Sequence, residues 1–402
     1  MDTRPPDMPV PPPVMRIART LLDAGFETWC VGGAVRDHLL GEPNVDIDLA
    51  TAAPPSEVQR LFRRTVPIGV EHGTVAVLDD RNVPHEVTTF RKDVRTDGRH
   101  ADVVFGVSLE EDLARRDLTI NAIAFHPVNR EWRDPFAGMQ DVRARLIRAV
   151  GDPAVRFRED YLRILRVLRF AARFGFHIDA PTWTAAAAAA NHLDVLSAER
   201  VRDEWMKGLR TARSVQAFVR LWERVGALEI WMSEMVEAVK EERRLWSGLD
   251  RLPRDPVLIT AALSADPAAT LRRLRARNAD IARADRMARH RKDRPVSTDP
   301  VDVRRWLARV GAAADDLLTL WAVECPGEAE LVEAVRRIRN TDPAVTIAQL
   351  AVNGTDLQEA GVPPGPPVGD MLRRLLDEVL VDPALNERAR LLRRVARLVN
   401  GA

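Results

Sequence analysis

Cysteine is almost absent from this chain: Cys30 and Cys325 are the two in 402 residues, far apart and in no metal-ligand spacing. That excludes a disulfide scaffold and a cysteine zinc site, and it suits a reducing cytoplasm. A surplus of one charge is lacking too. Lys and Arg number 60 against 59 Asp and Glu, so no global basic field advertises nucleic acid and any such patch has to be local. No run approaches the roughly 18 apolar residues of a membrane span. The start, MDTRPPDMPVPPPV, has neither the basic n-region nor the apolar core of a signal peptide. These absences predict a soluble cytoplasmic protein with no membrane partner, opened by a disordered Pro-rich lead over residues 1–13.

What is present has two textures. Over residues 14–148 short β-type runs, expected as strands at 28–31, 47–50, 65–70, 74–78 and 86–90, are separated by Gly, Pro and Asp-Asp punctuation. From Gly151 the pattern turns helical, with Leu162, Leu165, Leu168 and Ala172 on one face. The expected fold class is α+β: a head with a small mixed β-sheet, then an extended all-α neck, body and tail. The boundaries read as head 14–148, neck 149–209, body 210–340 and tail 341–402.

The chemistry begins at NVDIDLAT. Asp46 and Asp48 stand two apart in a predicted strand, and period-two geometry points both carboxylates to one face. Like charges so placed repel unless a divalent cation neutralises them, although D-x-D also occurs by chance on solvated edge strands. Glu86 opens EVTTFR, another strand of the same predicted sheet. A third carboxylate there completes the set that holds two Mg²⁺ about 4 Å apart, one activating an attacking hydroxyl and one stabilising a pyrophosphate leaving group.

CVGGAVRDHLLG adds a phosphate site. Gly32 and Gly33 let the backbone approach a ligand, and the helix start offers free N–H groups. Arg36 on the first turn is able to clamp a triphosphate. The competing dinucleotide turn lacks its G-x-G-x-x-G. Thirteen residues separate Gly33 from Asp46, room for one short helix and a return strand, so phosphates and metal carboxylates would face each other.

Taken in order, GGAVRD, DID, EEDLARRDLTINAIAF, EDYLRILRVLRFAARFGF and AERVRDEW resemble the class II tRNA nucleotidyltransferase and bacterial poly(A) polymerase family. The resemblance covers residues 14–209, with a weaker echo in AVNGTDLQEAGVPPGPPVGDML. It implies a nucleotidyltransferase head whose metals sit on Asp46, Asp48 and Glu86, and a triphosphate held by Gly33 and Arg36. Arg116 and Asp117 would contact the nucleotide's phosphate and ribose, supported by Asn121. Asp160, Arg163, Arg166 and Arg169 would belong to a nucleotide-selecting helix, braced by Glu199 and Arg200. Val45, Leu118, Tyr161 and Ala101 depart from common family residues, none of them a proposed ligand.

Asp160 and Arg163 are three apart on a predicted helix and so share a face. Cytosine and adenine each pair an exocyclic amino group with a ring-nitrogen acceptor, whereas uracil and guanine would set a carbonyl against the Asp160 carboxylate. That would make the protein a template for CTP and ATP; a plain surface ion pair is the alternative. IGVEHGTVAVL resembles the CCA-adding branch of the family, and residues 91–105 resemble its flexible loop for switching from CTP to ATP. The expected activity is addition of C, C and A to a tRNA 3′ end. Poly(A) polymerase, A-only addition and an inactive RNA-binding protein are the alternatives, and oligomeric state is not legible. Nine arginines over 143–173 and nine over 272–294 are places for RNA phosphate, the second equally a solvated helical face. GVPPGPPVG reads as a helix-start turn.

Overall fold

A computed structural model describes residues 7–43, 46–96, 101–240, 246–341 and 343–400. The chain divides into two compact units, Met1–Val239 with Arg273–Arg275, and Lys240–Arg272 with Ala276–Ala402.

The first unit opens with α1 (Pro12–Asp23), β1 (Thr28–Val31), α2 (Gly33–Leu39), β2 (Asp48–Thr51) and α3 (Pro55–Leu61). Then come β3 (Thr65–Gly69), β4 (Thr74–Leu78), β5 (Pro84–Thr89), β6 (Arg91–Thr96), β7 (Ala101–Phe105) and α4 (Leu109–Ala114). Two short strands, β8 (Ala124–Phe125) and β9 (Trp132–Arg133), precede α5 (Gly138–Ala144) and β10 (Leu146–Ile147). The rest is helical: α6 (Pro153–Glu159), α7 (Leu162–Phe174), α8 (Ala180–Ala189), α9 (Ala198–Thr211), α10 (Val215–Val225) and α11 (Ala227–Trp231). One parallel pair interrupts them, β10 with the residues His177–Ile178. The α+β reading therefore holds, as does the mixed sheet.

Seven strands form that sheet in the order β3-β4-β5-β2-β1-β8-β9, antiparallel except where β2 runs parallel to β5. Both faces are covered. Cys30 and Leu49 pack with Val14, Leu21 and Val58 on one side, while Trp29, Val31 and Ala50 pack with Leu109 and Leu113 on the other. Burial on both faces is why β1 and β2 read as apolar runs, whereas β5 alternates and β3 is largely exposed.

Three expectations are corrected here. Residues 7–13 are not a disordered lead: Met8 is buried in the head core, Asp7 meets Arg130, and α1 already begins at Pro12, with proline where a first helical turn has no N–H to lose. Residues 1–6 of that lead lie outside the described residues. The segment 91–105 is a strand pair, β6 against β7, where a loop was expected; its residues 97–100 lie outside the described residues. Finally, α10 packs on the helices before it, so the expected break at 209/210 is crossed. Gly208 makes that possible, since a Cβ there would sit 2.0 Å from Cζ of Phe218, and Phe218 stacks against Trp205 at 5.5 Å.

The second unit is helical. One core gathers Trp306 and Trp321, 4.9 Å apart, with Val303, Leu317 and Val335. Another joins Leu357, Leu375, Val379 and Val395. GVPPGPPVG is a helix start: Gly365 stands directly before the helix Pro366–Val381. Much of the 272–294 basic stretch is committed to carboxylates. Arg283 holds Asp255 and Asp316, Arg291 holds Glu324, and Arg294 meets Glu328 and lies over Trp321. A solvated, ion-paired face describes those residues better than an open phosphate track.

Candidate active site

Asp48 is the first residue of β2 and Glu86 lies on β5. The parallel register sets Leu49 beside Val87 and Thr51 beside Thr89, so Asp48 and Glu86 stand level and point away from the face that Leu49 and Val87 share. Asp46 is not in the strand, because β2 begins two residues later; it is exposed. Its charge still reaches Asp48. Burial, then Glu86, then Asp46 push the Asp48 carboxyl up to about 6, against the pull of Arg116. Among the described residues no three His, Cys, Asp or Glu side chains close on one point, so the carboxylates stand as neighbours and do not form a closed cage.

Asp48 and Glu86 face a cleft of about 670 Å³, within the range of small-ligand sites. Eight arginines and four carboxylates line it. From the predicted set it brings together Gly32, Gly33, Arg36, Asp48, Glu86, Arg116, Asp117, Asn121, Asp160, Arg163 and Arg166. Asp46 and Arg169 are not on its walls.

Gly32 shapes the floor. It ends β1 at φ 74°, a conformation costly for residues with a side chain. A Cβ there would lie 3.3 Å from Nη1 of Arg116 and 3.8 Å from Oδ2 of Asp48. Arg36, one turn into α2, is buried and held on several sides. Its Nη1 donates to Oδ1 of Asn121 at 2.6 Å, its Nε donates to Asp37, and its guanidinium lies 5.0 Å from the Phe170 ring. Burial lowers its affinity for a proton, and Asp37 opposes that shift.

From Arg36 the polar contacts continue without a gap. Nδ2 of Asn121 donates to Oδ1 of Asp117 at 2.9 Å, and Nε of Arg166 donates to Oδ2 of Asp117 at 2.7 Å. Arg166 approaches Glu204 at 4.0 Å, and Nε of Arg169 donates to the other oxygen of Glu204. Burial tends to raise the Asp117 carboxyl, but Arg166, Asn121 and Arg163 outweigh it and hold it at about 2. Arg116 reaches Asp112 at 3.1 Å and the Asn121 carbonyl, while its buried Nε has no hydrogen-bond partner among the described residues.

The selecting pair differs from its expectation. Asp160 is extended (φ −157°, ψ 106°) and follows α6; α7 begins only at Leu162. Asp160 therefore caps the helix: Oδ1 accepts from the Leu162 N–H at 3.1 Å, and Oδ2 accepts from Nη2 of Arg200 at 2.7 Å. Arg163 donates to Glu159 and to the carbonyls of Arg156 and Arg115. Arg200 bonds Asp160, the residue before the link to α7, whereas Glu199 pairs with Arg275. Arg91, Arg115 and Arg173 also line the cleft, and Glu204 anchors it; none was singled out from sequence. The RRD and RxxR spacings around them were the available signal.

Comparison with known proteins agrees with this geometry. Residues 28–148 match the family described as "Poly A polymerase head domain". A CCA-adding enzyme of Latilactobacillus sakei subsp. sakei is 34% identical over 402 residues, covering 92% of this chain and 94% of that one. The chain belongs to the class II CCA-adding enzyme and poly(A) polymerase family. It is a nucleotidyltransferase. Family matches continue over residues 175–238, "Probable RNA and SrmB- binding site of polymerase A", and 257–395, "tRNA nucleotidyltransferase domain 2 putative". A CCA-adding enzyme of Anoxybacillus flavithermus is 47% identical over 195 residues, about half of each chain. The Bacillus stearothermophilus CCA-adding enzyme, solved in complex with CTP, has a TM-score of 0.78 at 32% identity, covering 98% of this chain and all of that one. No helix of the described residues is long and apolar enough to cross a membrane.

Proposed function

We propose that this member of the family adds C, C and A to the 3′ end of tRNA, from CTP and ATP and without a nucleic-acid template. The observation that carries the reading is the pairing of Asp48 and Glu86, level on adjacent strands, with an arginine-lined cleft that Asp160 also lines. The names of the relatives, and the CTP complex of one, support it.

A triphosphate suits the arginines, which are drawn together and partly buried by Asp117, Asp112 and Glu204. The carboxylates of Asp48 and Glu86, with Asp46 nearby, fit divalent cations, because burial and then their mutual repulsion already push Asp48 toward the protonated form. We assign two Mg²⁺ to them. Bound there, the ions would supply acidity to the attacking 3′ hydroxyl and charge compensation to pyrophosphate. Asp160 has lone pairs left beyond its bonds to Leu162 and Arg200, and these can accept the exocyclic amino group of cytosine or adenine. A uracil or guanine carbonyl in that place would leave two acceptors face to face, a mismatch that discriminates strongly. Arg163 would meet the base by exchanging one of its present partners. Two unpaired cysteines, with Cys30 buried and its thiol pushed up to about 12, support a cytoplasmic place.

The test is to incubate the full chain, Mg²⁺ and a tRNA transcript ending at the discriminator base with each nucleotide. Three additions from CTP plus ATP, two from CTP alone and none from UTP or GTP are expected. Long ladders from ATP on any RNA would make it a poly(A) polymerase. A single A added only to tRNA ending in CC would make it the second half of a divided pathway.

A further inference from the structure

Two residues separate α6 from α7, and they are Asp160 and Tyr161. Tyr161 is the single tyrosine of the chain. Its half-buried ring stacks on the His192 imidazole, with centroids 5.0 Å apart and planes inclined by 22°, an offset arrangement of the attractive kind. His192 is itself on anchored backbone. It sits in the 3-10 turn Ala190–Val195, whose next residue, Leu193, is fully buried and accepts a hydrogen bond from Nε1 of Trp231 at 3.0 Å.

The Asp160 carboxylate is thus fixed from three directions. The Leu162 N–H holds Oδ1, Arg200 holds Oδ2, and the ring of the adjacent residue stacks on the exposed His192, in a turn anchored by buried Ala190 and Leu193. The first two contacts orient the carboxylate relative to the backbone and α9. The backbone of the two-residue link is held from the α7 side, where the carbonyls of Asp160 and Tyr161 accept from the N–H groups of Arg163 and Ile164. The Tyr161 stack adds a second hold, from the side of the turn that carries His192.

We propose that Tyr161 is a positioning residue for nucleotide selection: stacked on His192, it keeps the Asp160 carboxylate from turning aside for the wrong base. This rests on Asp160 reading the base, as argued above. Rejection of uracil or guanine depends on an acceptor that cannot retreat; a carboxylate free to swing by about 1 Å would leave its mismatch and admit the wrong nucleotide. Loss of the stack should therefore relax selectivity more than it slows the correct addition.

The experiment measures kcat/KM for CTP and for UTP on the same tRNA, using the full chain with Tyr161→Ala, Tyr161→Phe, His192→Ala and Asp160→Ala. The CTP-to-UTP ratio is expected to fall by about three- to tenfold in Tyr161→Ala and His192→Ala, and to be restored in Tyr161→Phe, which keeps the ring. Thermal melting of each variant accompanies the rates. A Tyr161→Ala protein that melts earlier but keeps the wild-type ratio, while Asp160→Ala loses it, would overturn the proposal and leave the role of Asp160 standing. An unchanged ratio in Asp160→Ala would overturn that role and the proposal with it.

Discussion

Nε of Arg166 donates to Oδ2 of Asp117 at 2.7 Å, joining residues 49 apart in sequence and fastening α7 to the turn that follows α4. Asp117 ionises at about 2 against an ordinary 3.8. A carboxyl with a depressed folded-state value contributes stability that is complete above its unfolded value. That stability is lost as pH falls through the folded one. The contribution at neutral pH is about 2 kcal/mol. Urea unfolding should therefore weaken between pH of about 4 and about 2, and Asp117→Asn should remove most of this slope. An identical slope in the variant would sink the assignment.

Asp48 carries the opposite sign. Its folded value is raised from 3.8 to about 6, so its ionisation costs stability in full above the folded value, and that penalty shrinks as pH falls from there to the ordinary 3.8. Asp48→Asn should lose nucleotide addition. In magnesium-free buffer at a pH of about 7.5, above the raised value, the same variant should melt higher, by roughly 2–4 °C. A lower melting temperature would show that the charge is not under strain.

Gly32 and Gly33 are adjacent in sequence and differ in need. A Cβ on Gly32 meets Arg116 at 3.3 Å on a backbone at φ 74°, whereas one on Gly33 makes only ordinary contact with Arg36 at 3.6 Å. Gly32→Ala should cost about 1–2 kcal/mol of stability, and Gly33→Ala well under half of that. Chemical denaturation of both variants decides it, and equal losses would refute the distinction.

Glu204 is buried beneath two arginines. Removing it strands Arg169, so Glu204→Ala should destabilise by about 3 kcal/mol. The double variant Glu204→Ala, Arg169→Leu should recover part of that loss, because it leaves no unpaired buried charge. Strict additivity in the cycle would mean the two side chains are not coupled.

The glycine turn before α2, the carboxylates on β2 and β5 and the helical face of α7 were all legible, because each depends on local spacing. What escaped depends on partners. The spacing of Asp160 and Arg163 puts them on one helical face only if both are in the helix, and α7 begins two residues after Asp160. Asp46 was assigned to a strand that starts at Asp48, so period-two reasoning did not apply to it. Arginines 163 and 169 look alike in sequence. One lines the cleft and the other is turned to Glu204, and only the position of α9 tells them apart. Met8 was read as part of a disordered lead because proline neighbours say nothing about which core they reach.

The run from Arg36 through Asn121, Asp117, Arg166 and Glu204 to Arg169 has a consequence for how a ligand arrives. Its cations are already stripped of most water and already balanced. An incoming anion is thus a substitute in an existing arrangement, and what it displaces is a carboxylate's hold, not a hydration shell. Affinity in such a place is governed by the difference between two partners for the same guanidinium. A small change in the resident carboxylates should then retune the cleft for a different anion without altering a single arginine.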